Sequence, residues 1–211
     1  DIAATWSKGR VWFKTPESVK IVMKGIPPNN VYAKDIVLAM LNKFGSSQLL
    51  GKAVEIYGDY IETLSLSDRI TISSMGTEMG AIIILFPPNE AVLSYFGNKA
   101  KPVYSDKNAN YAKIIEFDLC NCTSYISKPG NPANAVPVSE VKGTKIDSAF
   151  LGSCTNGRYE DMKVAADLLK NRKIAPGVVL KIVPATNDIW DRCLKEGIIE
   201  IFKNAGALVG N

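Results

Sequence analysis

From Ile146 to Gly210 the chain alternates short apolar runs with helical patterns, joined by connections of a few residues. Ile146 to Leu151 reads as a strand, and Arg158 to Lys170 as a helix with Met162, Ala165, Ala166 and Leu169 on one face. Pro176-Gly177 makes a turn into a strand from Val178 to Val183. Asn187 to Lys195 is a helix closed by Gly197, Ile198 to Phe202 a further helical turn, and Ala207 to Gly210 a short strand. That order requires parallel strands joined by right-handed crossovers. Ligands of open parallel sheets sit outside the carboxyl ends of the strands. Two points fall on that edge: Gly152-Ser153-Cys154-Thr155-Asn156-Gly157 after the first strand, and Asn211 after the third.

The earlier part of the chain also mixes both element types. Val19, Ile21 and Met23 alternate with polar residues until Gly25-Ile26-Pro27-Pro28 breaks the strand. Ile36, Val37, Met40, Leu41 and Phe44 recur at helical spacing, with Gly45 placed to end the helix. Ala53 to Tyr57 reads as a strand, and a helix is expected from an N-cap at Ser67 to about Met79. Ala81 to Phe86 reads as a buried strand, Asn89 leads into a helix ending near Gly97, and Ile114 to Leu119 is another strand. Pro129, Gly130, Pro132 and Pro137 then cluster within a loop from Cys120 to Val138. The expected fold is α/β in two units, residues 1–140 and residues 141–211, the second incomplete with a parallel βαβαβ sheet.

Composition narrows the chemistry. At 46% hydrophobic and 22% charged residues, the 211-residue chain can build a core. Its net charge of +4 comes from scattered Lys and Arg, which reads as a solvated surface and not a nucleic-acid footprint. The Ala81 to Phe86 run is too short to span a bilayer, so no membrane partner is expected. With no His at all, Ser-His and Cys-His pairs and His-ligated zinc are excluded within this chain. Four cysteines in a chain of this size, with no secretory signal, read as thiols in a reducing cytoplasmic setting. The chain opens at Asp1 without Met and stops directly after an apolar run, so it reads as a piece of something longer.

Cys154 lies where free backbone N–H groups and a helix dipole favour a thiolate, with Ser153, Thr155 and Asn156 able to donate hydrogen bonds to sulfur. A cysteine after a buried strand is more often a small core residue. Cys120 and Cys122 form the one local pair and read as incidental thiols; a thiol-redox protein would need a depressed thiol pKa at one of them. Cys193 shares a helical face with Ile189 and reads as core. Ser74 and Glu78 stand four residues apart and so share a helix face, amid the small residues of Ser73 to Gly80. A hydroxyl one turn from a carboxylate suits acid–base work, though Glu78 is also readable as a surface residue.

The run Phe150-Leu151-Gly152-Ser153-Cys154-Thr155-Asn156-Gly157-Arg158-Tyr159-Glu160-Asp161-Met162 resembles the cluster-binding loop of the aconitase superfamily, most of all the large subunit of 3-isopropylmalate dehydratase or homoaconitase. Four further segments are similar in order: Trp12-Phe13-Lys14-Thr15-Pro16-Glu17-Ser18, Ala33-Lys34-Asp35, Met75 to Gly80, and Pro132 to Val138. The resemblance implies two aconitase-like αβα domains and a hydro-lyase that isomerises a hydroxy-carboxylic acid by dehydration and rehydration. It implies a 4Fe-4S cluster with three Cys ligands, of which Cys154 matches the first. Glu78 matches the glutamate near the substrate hydroxyl, and Ser74 stands where aconitases usually carry an Asn touching the cluster.

The other two cluster cysteines would lie just past the strand ending at Gly210, the His-rich active-site segment upstream of Asp1, and the serine base and substrate arginines elsewhere. The chain therefore reads as a middle fragment, inactive and without an intact cluster by itself. The implied partners are a small di- or tricarboxylic acid and a small subunit carrying the swivelling domain. The rival readings are aconitase proper, another malate-derivative dehydratase, or a non-catalytic α/β anion-binding module.

Overall fold

The computed structural model describes residues 2–12, 14–99 and 101–210. A short helix α1 (Ile2–Lys8) buries nothing and precedes the first sheet. Then follow β1 (Ser18–Lys24), α2 (Ala33–Phe44), β2 (Ala53–Tyr57), α3 (Asp59–Thr63), α4 (Leu66–Ser74), β3 (Ile83–Leu85), α5 (Glu90–Phe96) and β4 (Lys113–Asp118). The four strands run parallel in the order β3-β2-β1-β4. A hairpin of β5 (Tyr125–Ser127) and β6 (Ala135–Pro137) comes next. The second sheet carries β7 (Ser148–Gly152), α6 (Ser153–Asn156), α7 (Tyr159–Leu169), β8 (Val179–Val183), α8 (Asn187–Lys195), α9 (Ile198–Ala205) and β9 (Leu208–Val209), with strands parallel in the order β7-β8-β9.

Alternation decides which face of β1 is covered. Val19, Ile21 and Met23 point inward with Val54 and Ile56 of β2, and α2 lays Ile36, Val37, Met40 and Leu41 over them. Asp35 holds the start of α2 by accepting the Tyr32 N–H at 2.9 Å. Gly45, at φ 66°, ends the helix and returns its N–H to the Leu41 carbonyl at 2.8 Å. In the second sheet Ile182, Met162, Ala166, Cys193 and Phe202 form a separate core. The two buried clusters share no residue. The sheet faces turned away from these cores leave Ile83, Leu85, Ile114, Phe150 and Leu208 exposed.

Several boundaries differ from expectation, each for a local reason. The segment 81–86 forms only the three-residue strand β3, at the edge of the sheet, where Ile84 alone of its residues is buried. The stretch between Cys120 and Val138 contains the β5–β6 hairpin, and the helical turn after Gly197 extends to Ala205. The cap of α4 is Ser65, not Ser67: the Ser65 hydroxyl accepts the Asp68 N–H at 3.1 Å, and Asp68 accepts the Ser65 N–H at 3.2 Å. That reciprocal pair satisfies two free N–H groups at the start of the helix.

α4 also stops early. It ends at Ser74, and Gly76–Met79 forms a separate 3₁₀ turn. Two serines and a glycine are poor helix formers. The backbone of Gly76 also lies so close to Ile84 that a Cβ there would meet the Ile84 Cγ1 at 2.8 Å.

Arg69 clips the segment together. Its guanidinium is 4% exposed and donates to the carbonyls of Ile61 (2.7 Å), Leu64 (3.3 Å) and Pro87 (2.8 Å), over the Phe86 ring. Met would fill much of the volume but leave the Leu64 and Pro87 carbonyls without a donor and the Ile61 carbonyl with only the Leu64 N–H. Arg69→Met is therefore expected to lower unfolding free energy by about 3 kcal/mol. Urea denaturation measures it, and a loss below about 0.5 kcal/mol, the scale of an ordinary surface change, contradicts it.

Candidate functional site

The site is built on the carboxyl edge of β7. Gly152 is extended there, and a Cβ on it would meet the Val183 carbonyl oxygen at 2.6 Å and the Phe150 ring at 2.8 Å, so only glycine fits between the strands. Ser153 follows at φ 72°, a left-handed conformation rare for a residue with a side chain. The chain then makes the single turn α6, closed by the Gly157 N–H to the Ser153 carbonyl at 2.9 Å. Cys154 sits within this turn as an exposed free thiol. The sequence placed it ahead of a long helix beginning near Arg158; a four-residue turn of its own offers much less dipole to a thiolate.

The neighbouring side chains are partly committed. The hydroxyls of Ser153 and Thr155 lie 3.1 Å apart. Asn156 donates its amide N–H to Asp161 at 3.0 Å, and Asp161 accepts the Arg158 N–H at 3.0 Å. Burial pushes the Asp161 carboxyl above its ordinary range, against the pull of those two donors. The side-chain amide oxygen of Asn156 is buried and has no partner among the described residues.

The helix α4, which packs on the first sheet, reaches this turn. The Thr71 hydroxyl donates to the Thr155 carbonyl at 2.7 Å, and the Ser67 hydroxyl donates to Glu160 at 3.0 Å. Ser74 donates its hydroxyl back to the Thr71 carbonyl at 3.1 Å. Glu78 lies beyond the end of α4 in the 3₁₀ turn, so the expected shared helix face with Ser74 is overturned. Glu78 is exposed, and its carboxylate has no hydrogen bond or ion pair among the described residues. The structure thus brings α4 against the Cys154 turn. It joins neither Ser74 nor Glu78 to Cys154 by a direct bond.

A cleft of about 930 Å³ opens between α4 and the β7–α7 segment, lined by Thr71, Met75, Ser153, Asn156 and Asp161 among others. Ser74 lines a separate recess of about 510 Å³.

The remaining thiols have other settings. Cys120 is exposed, and Cys122 is buried with its thiol pushed up to about 11 by that burial. That direction is opposite to the one a redox pair requires. Cys193 is fully buried in the second core, as its spacing indicated. Among the described residues no group of three or more His, Cys, Asp or Glu is placed to hold a metal ion, and no helix is long and apolar enough to cross a membrane. Cys154 alone can therefore fit one ligand position of a cluster, not a set.

Asn211 and Phe13 lie outside the described residues. Gly210 donates its N–H to the Ile182 carbonyl at 3.0 Å, beside the registers Ile182–Val209 and Val183–Gly152. The chain at Gly210 thus stands on the same carboxyl edge as Cys154, with β9 two strand spacings, about 10 Å, from β7.

Residues 1–211 match the aconitase family (aconitate hydratase). The chain is 39% identical over 213 residues to 3-isopropylmalate dehydratase large subunit 1 of Methanopyrus kandleri, covering 99% of this chain and 51% of that protein. It is 41% identical over 214 residues to the 3-isopropylmalate dehydratase large subunit of Desulfitobacterium hafniense, with 99% and 51% covered. It is 39% identical over 215 residues to the probable methanogen homoaconitase large subunit of Methanothermobacter thermautotrophicus, with 100% and 50% covered. The chain spans about half the length of these curated relatives. Among solved structures, the holo form of aconitase X from Thermococcus kodakaraensis shares the fold, with a TM-score of 0.52 at 12% identity over 92% of this chain and 43% of that one.

Proposed function

Since the chain belongs to the aconitase family, we propose that it forms part of the large subunit of an iron–sulfur hydro-lyase of the 3-isopropylmalate dehydratase or homoaconitase type. The observation that carries the reading is the exposed Cys154 on the carboxyl edge of β7, on the edge that the chain reaches again at Gly210. In this reading residues 1–140 and 141–211 act as two units, and Cys154 supplies one of three thiolate ligands to a 4Fe-4S cluster. Such a cluster, when bound, supplies an open iron that acts as a Lewis acid on the substrate's hydroxyl and carboxylate.

The chain's own residues do the positioning and the proton work. Ser153 and Thr155 flank Cys154 in the turn and offer hydroxyls 3.1 Å apart. Asn156, tied to Asp161, fixes the turn's exit. Ser74 donates its hydroxyl to the Thr71 carbonyl and, in this reading, stands at the position where an amide otherwise touches the cluster. Glu78, with its carboxylate unpaired, holds or releases the proton at the substrate hydroxyl. A small subunit with the swivelling domain completes the site around a di- or tricarboxylic acid. Four free thiols suit a reducing cytoplasm.

The test is turnover. The enzyme containing this chain, assembled anaerobically with its small subunit, is expected to dehydrate 3-isopropylmalate or the substrate of homoaconitase. A fully iron-loaded assembly that acts on neither overturns the proposal.

A further inference from the structure

The geometry points to Thr71 as the positioning residue that fixes the Cys154 turn. Thr71 is 5% exposed, and its hydroxyl donates to the Thr155 carbonyl at 2.7 Å, across 84 residues of sequence and from one unit to the other. The exit of the turn is held from its own side, by Asn156 on Asp161 and by the Ala185 N–H on the Gly157 carbonyl, whereas Thr71 is the buried side chain that reaches its middle from α4. α6 spans four residues, buries none of them, and begins at Ser153 in a left-handed conformation that costs energy to maintain. Its carbonyls lie at the end of a short helix, where an acceptor without a donor is costly. The Thr71 hydroxyl satisfies the acceptor next to Cys154 and thereby sets the direction of the thiol. Ser67, one turn earlier on α4, is half-buried and meets the exposed Glu160, so Thr71 is the buried member of the pair of hydroxyls joining α4 to the β7–α7 segment. Ser74 donates to the carbonyl of this same residue, which ties the other candidate segment to the same point.

The significance for catalysis rests on the reading of Cys154 as an iron ligand; the hold on the turn does not. The experiment uses this chain as Thr71→Val, which keeps shape and removes the donor, and as Thr71→Ser, which keeps the donor. Amide hydrogen exchange is followed by mass spectrometry. Cys154 alkylation by iodoacetamide is measured against Cys120 in the same sample as an internal standard. The valine variant is expected to exchange about tenfold faster over residues 154–157 and to alkylate Cys154 faster relative to Cys120, with serine returning both to the original values. Rates within twofold of the unsubstituted chain in the valine variant overturn the inference. So does faster exchange spread evenly through β1, β2 and β8, or failure of serine to restore the turn. If Cys154→Ser in the assembled enzyme leaves the cluster iron in place, the ligand reading fails while the exchange result for Thr71 still stands.

Discussion

Cys154→Ser in the assembled enzyme is expected to remove cluster iron and turnover together, with activity falling by more than about a thousandfold. Serine matches the size of cysteine, but its hydroxyl is not a thiolate and is a poor ligand for an iron–sulfur cluster. The fold should not notice. Cys154 is exposed and belongs to neither buried cluster, so thermal or urea stability of the chain should stay within about 0.5 kcal/mol. This separation is what makes the result informative: loss of iron at constant stability assigns a ligand, whereas loss of both would describe a packing residue. Full iron content and normal turnover in the serine variant would remove Cys154 from the chemistry.

Glu78→Gln is the second large effect. The carboxylate has no internal partner, so the amide replaces it without breaking any contact among the described residues. A proton-transfer role predicts a kcat lower by about a hundredfold to ten-thousandfold, with KM changed little and iron content unchanged. A kcat within twofold of the original enzyme would return Glu78 to the ordinary surface. The pair of variants also separates two roles, since the cysteine change acts on iron and the glutamine change acts on the proton.

Much of this architecture was legible in the residues. The alternation of Val19, Ile21 and Met23 marked the covered face of β1, and the spacing of Ile36 to Phe44 marked the helix laid over it. Gly152 through Gly157 marked the sheet edge because strands alternating with helices must run parallel there. What the residues concealed was tertiary. Periodicity does not distinguish a central strand from an edge one, so Ala81 to Phe86 looked buried although β3 has only β2 beside it. Proline density hid the β5–β6 hairpin. Ser65 and Asp68 carry the spacing of a reciprocal cap, a stronger signal than the lone hydroxyl of Ser67.

The helical spacing of Ser74 and Glu78 failed because close packing of Gly76 on Ile84 redirects the backbone between them. The hydroxyl of Thr71 and the guanidinium of Arg69 left no trace at all. A polar group on a helix acquires meaning only when its distant acceptor is known.

The two cores share no side chain, and hydroxyl groups of α4 help to join them across the seam. Aliphatic layers could therefore condense on either side before the polar clasp engages, because neither needs atoms from the other. Assembly in that order gives a late docking step, and unfolding in reverse releases the sulfur-bearing turn before either interior is wetted.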